Sequence, residues 1–124
     1  MTKPLALVFY EKLLPGTQLV NRLQDLNYRV QTVPSGSTIL ATAEKEKPMV
    51  LFADLVATRV NVALAISELR QNPTTNHLPV IAFVDEKDTK SQKAALEAGS
   101  TLVVNEAALL NHLQQFLEQA LHLD

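Results

Sequence analysis

The chain has 124 residues, 47% of them hydrophobic and 19% charged, and a net charge of −2. That balance gives one folded domain with a single good core and excludes a disordered chain. It contains no cysteine, which rules out disulfides, thiol catalysis and thiolate metal sites, and it has no basic footprint for nucleic acid.

In chain order, Leu5–Phe9 is an apolar run suited to a strand buried on both faces, and far too short for a membrane span or a signal peptide. A soluble cytoplasmic protein is the expectation. Leu19, Leu23 and Leu26 follow Pro15-Gly16-Thr17 at helical spacing, with Asn27 as the stop. Tyr28–Val33 alternates, as an edge strand with one wetter face does. Ser35 or Ser37 can cap a second helix that ends by Pro48. Met49–Leu55 is a third buried run, carrying Asp54 at its end. Val62, Ile66 and Leu69 mark a third helix, stopped at Asn72-Pro73. Val80–Val84 is the fourth run, and Asp88 can cap a helix that closes at Gly99. After the weaker run Thr101–Val104, Leu109, Leu110, Leu113, Phe116, Leu117, Ala120 and Leu121 form the apolar stripe of one last helix. The order βαβαβαβαβα, with right-handed crossovers, gives a parallel sheet covered by helices on both faces, one domain over residues 1–124.

The punctuation narrows the choice among α/β folds. Pro48 through Arg70, with Asp54-Leu55 after the strand and Glu68-Leu69-Arg70 closing the helix, resembles the receiver domain of bacterial response regulators. Asn72-Pro73 before Leu78-Pro79-Val80-Ile81-Ala82, and Ala98-Gly99-Ser100, are similar to that family's entries into its fourth and fifth strands. The resemblance covers essentially the whole chain. It implies a flavodoxin-like (βα)5 three-layer sandwich of strand order 2-1-3-4-5, with the functional pocket at the C-terminal strand ends.

In that family an aspartate matched by Asp54 accepts a phosphoryl group, and the resemblance places the other functional positions at residues of different chemistry. The acidic pair that binds Mg²⁺ falls at Tyr10 and Glu11. The hydroxyl residue ending strand four falls at Val84, and the lysine ending strand five at Glu106, or at Asn105 if the register slips by one. The switch aromatic falls at Val103. Phosphoryl transfer depends on positioning and charge neutralisation. Val84 cannot donate a hydrogen bond, and a carboxylate at Glu106 repels where an ammonium would attract. The acceptor is kept while most of its apparatus is lost.

The expected function is therefore a stand-alone pseudo-receiver, a signal-transduction module that binds a protein partner or a second copy of itself without phosphorylation. It has no enzymatic activity, no cofactor, no metal, and no nucleic-acid or membrane partner. The resemblance puts its partner surface on the fourth helix, fifth strand and fifth helix, including Lys90, Lys93, Ala94, Glu97, Val103, Leu109, His112 and Leu113. Two alternatives stand beside it. One is a weakly competent response regulator, phosphorylated on Asp54 with Glu11 and Asp54 holding Mg²⁺. The other is a sensor that binds a small apolar ligand at the strand ends, beside Phe9 and Tyr10.

The remaining polar residues read more simply. Asp85-Glu86-Lys87-Asp88 is a solvated loop and cap, and His77, His112 and His122 have no metal-ligand spacing. With three glycines there is no phosphate-cradling loop.

Overall fold

The computed structural model describes residues 4–10, 13–33, 38–55 and 62–122. Five parallel strands, β1 (Leu5–Phe9), β2 (Arg29–Val33), β3 (Val50–Asp54), β4 (Val80–Val84) and β5 (Leu102–Asn105), form one sheet in the order β2-β1-β3-β4-β5. The helices are α1 (Leu13–Asp25), α2 (Ile39–Glu46), α3 (Val62–Gln71), α4 (Thr89–Ala98), α5 (Glu106–Asn111) and α6 (Leu113–His122). This is the expected flavodoxin-like three-layer sandwich.

Every residue of β1, β3 and β4 is buried, which is why these strands read as unbroken apolar runs. Their side chains alternate between two cores. Leu7, Leu51 and Ala82 pack with Ile39, Ile66, Leu69 and Ala95, in the layer of α2, α3 and α4. Val8, Phe52 and Phe83 pack with Leu19, Leu23, Leu109 and Leu117, in the layer of α1, α5 and α6. Phe9, Phe52 and Phe83 are among the largest fully buried side chains, each worth about 2–3 kcal/mol of apolar transfer. β2 lies at the sheet edge, and its exposed residues, Arg29 and Thr32, fall on opposite faces, so the expected single wet face is not seen.

The helix punctuation is largely as expected. Asn27 adopts a left-handed φ of 69°, and Gly99, at φ 108°, caps α4 with its N–H on Ala95 and Leu96 carbonyls. Asp88 caps the start of α4 by accepting from the Ser91 N–H. Three expectations are corrected. Pro15 and Gly16 lie inside α1, within its first turns, where a missing N–H costs no intrahelical bond. The N-cap of α2 is Thr38, without a side-chain cap bond; Ser35 and Ser37 lie outside the described residues. The single last helix is two, because His112 leaves helical geometry at φ −129° and ψ 31°. Leu109 from α5 and Leu113 from α6, four residues apart, stay on one face across the break and enter the same core.

Arg70, at the end of α3, ties the feet of several elements together. Its Nε–H donates to Gly99 O at 2.8 Å and its Nη1 to Leu78 O at 2.7 Å and Asn76 O at 3.1 Å. Partial burial pulls the guanidinium below its ordinary pKa.

Candidate functional site

Parallel strands deliver their C-terminal residues to one edge of the sheet. There Asp54 ends β3, Val84 ends β4, Asn105 ends β5, and Tyr10 follows β1. Asp54 is level with Phe83, and Val84 is level with Asn105. Among the described residues Asp54 is the only buried charged side chain, at 2% exposure.

Its neighbours do not resemble a phosphoryl cradle. Val84 is buried at 1% exposure and brings an isopropyl group to the position beside Asp54's strand end. The register gives the end of β5 to Asn105, the one-residue alternative, rather than to Glu106. The Asn105 Oδ1 accepts from the Ala108 N–H at 2.7 Å, so this side chain is engaged in capping α5. Glu106 is the first residue of α5, where an acid suits the positive end of the helix dipole.

Tyr10 packs with the α1-side core, and its ring lies across Gly16 so closely that a Cβ there would overlap it. Gly16 is thus required by Tyr10, a pairing that sequence reading missed; the signal was a glycine inside the first turns of a helix. Phe9, beside which a ligand was expected, is fully buried. Glu11 lies outside the described residues.

The fit of Mg²⁺ can be tested on this donor set. The ion needs several hard oxygens in near-octahedral array. Among the described residues no group of three His, Cys, Asp or Glu comes together, and Asp85, just past β4, accepts from the Lys87 N–H at 2.9 Å within its own turn. Of the expected pair, Asp54 is described and Glu11 is not, and no chemistry is routed through the ion.

The expected partner face is partly corrected. Lys90, Lys93, Glu97 and His112 are exposed, Ala94 and Val103 are half-buried, but Leu109 and Leu113 are 1% and 4% exposed and belong to the core. They sit on the inward side of the stripe that the α5–α6 break aims at Phe83 and Ile81. Lys93 and Glu97 pair with each other at 3.9 Å in solvent, an interaction of small energy. What this face does offer is a groove of about 300 Å³ along β5, where Val103, Val104, Asn105 and Ala108 meet Gln92 and Phe116. Phe116 had been read only as part of the buried stripe.

The strand order, the two helical layers and a carboxylate ending the third strand define a flavodoxin-like α/β fold of one particular kind. Three solved structures share it: a protein of Chloroflexus aurantiacus described as a response regulator (21% identity, 97% of this chain and 98% of that chain, TM-score 0.88); the receiver domain of a Pseudomonas aeruginosa sensor histidine kinase, with magnesium coordinated in its active-site cleft (20%, 97% and 98%, 0.87); and the chemotaxis response regulator CheY4 of Vibrio cholerae (18%, 96% and 99%, 0.83). The chain therefore has the CheY-like receiver fold over nearly its whole length. No family model and no curated protein sequence matches it. Among the described residues no helix is long and apolar enough to cross a membrane.

Proposed function

We propose that this chain is a pseudo-receiver, a signalling module of receiver fold that binds a protein partner through a fixed surface and is not switched by phosphorylation. The observation that carries this reading is the trio at the strand ends. Asp54 is buried, Val84 has no hydrogen-bond donor, and the β5 end holds a capping amide where an ammonium would be needed. Without a hydroxyl and a cation, charge developing on a transferring phosphoryl group is left unneutralised. The partner surface is the β5 groove, walled by Gln92 of α4 and Phe116 of α6. A second copy of the chain is one candidate occupant, and a signalling protein of another kind is the other.

Fluoroberyllate with Mg²⁺ mimics a phosphoryl group bound to a receiver aspartate, and tests the reading by amide NMR. The proposal predicts no saturable shifts at Asp54, Val84 or Asn105. A saturable, Mg²⁺-dependent set of shifts at those residues, lost in Asp54→Asn, would favour the phosphorylated response regulator instead.

A further inference from the structure

At the opposite end of the sheet, where β3 and β4 begin, a cavity of about 470 Å³ opens between the end of α2 and the loop after α3. Its size is that of a small-molecule site. Pro48, Pro73 and Pro79 line it, half of the chain's six prolines, so much of its wall has fixed φ and no backbone N–H. The loop that forms one side is held closed. Thr75 Oγ1 donates to Leu69 O at 2.8 Å, Thr74 N–H donates to the Asn72 side chain at 2.9 Å, and Arg70 binds the carbonyls of Asn76 and Leu78. The cavity is thus built before any ligand arrives.

The lining chemistry is uneven. Met49 contributes an adaptable apolar side chain that is 48% exposed, one of three large hydrophobics left so among the described residues. Lys47 and His77 are the ionisable lining groups, and no carboxylate lines the cavity. Glu44 and Glu46 share α2 with Lys47 but lie outside the lining, and Lys47 forms no ion pair among the described residues. Lys47 sits at the C-cap of α2 in left-handed geometry, φ 50°. The carbonyl ends of α2 and α3 also face this end of the sheet and disfavour anions, so any carboxylate here depends on the Lys47 ammonium.

We infer that this cavity is a binding site for a small amphipathic monocarboxylate, its apolar body against Met49 and the prolines and its carboxylate on Lys47. The site is independent of the strand-end carboxylate and of the partner groove.

Amide NMR titration of the intact chain with submicellar decanoate tests it, with 1-decanol as the uncharged probe. Saturable shifts are expected at Ala43, Lys47, Met49 and His77, with decanol at least fivefold weaker. Lys47→Asn, which suits the left-handed cap, is expected to weaken decanoate at least fivefold, and Met49→Glu to abolish its binding. Both positions are exposed, and the melting temperature of each variant reports its folding. Equal affinity for decanol, unchanged affinity in a folded Lys47→Asn, absence of saturation, or shifts centred on the Val103–Phe116 groove would overturn the assignment.

Discussion

Replacing Arg70 by lysine keeps a positive charge at the foot of the sheet and discards the fork that reaches Gly99, Leu78 and Asn76 carbonyls together. Bonds from a charged donor are worth more than neutral ones, and the carbonyls left behind are partly buried. Arg70→Lys is expected to lose about 1–2 kcal/mol and Arg70→Met about 2–3 kcal/mol in urea unfolding, with m unchanged. If lysine matched arginine, charge rather than geometry would be the cause. A second residue-scale pair is Tyr10 and Gly16. Glycine to alanine inside a helix ordinarily gains about 1 kcal/mol, but here the added Cβ meets the Tyr10 ring. Gly16→Ala is expected to destabilise the wild type and to stabilise a Tyr10→Ser background, a sign change that a double-mutant cycle reads directly. This contact was hidden in the sequence, since nothing in Tyr10 or Gly16 alone says which way the ring turns. Asn105 was half-legible. The resemblance left Glu106 and Asn105 open for the end of strand five, and the pairing of Val84 with Asn105 ends β5 at Asn105.

At the scale of the elements, α4 shows how a cap becomes a pH dependence. Asp88 accepts from the Ser91 hydroxyl at 2.6 Å and from the Ser91 N–H at 3.0 Å, and these bonds, the side-chain one first, hold its carboxyl below the ordinary 3.8. A depressed folded-state pKa adds stability that is complete above the unfolded value and is lost as pH falls through the folded one. Asp88→Asn is therefore expected to match the wild type's thermal stability near neutral pH and to lose less of it below about pH 4. Asp88→Ala is expected to melt roughly 2–5 °C lower at neutral pH. A steeper acid loss in the asparagine variant would contradict the cap's role. This cap and the Gly99 stop were readable in advance, because cap chemistry is local. The α5–α6 break was not. Asn111 and His112 are no stronger breakers than many helix residues, and the apolar spacing of Leu109 and Leu113 runs through the break without marking it.

Across the whole molecule, the strands were legible because β1, β3 and β4 are buried throughout and announce themselves as apolar runs, while their order followed from the resemblance to receiver domains. The partner face was less legible. The stripe of leucines in the last helices looks alike whether it faces a core or a partner, and only burial separated Leu109 and Leu113 from Phe116 and Ala108. The proposed loss of phosphorylation rests on the strand ends, where Asp54 is buried, Val84 ends the adjacent strand and Asn105 caps α5. The most direct measurement is intact-protein mass spectrometry after incubation with acetyl phosphate and Mg²⁺, with Asp54→Asn treated alongside. The account predicts an unchanged mass for both folded proteins; gain of one phosphoryl group by the wild type alone would contradict it.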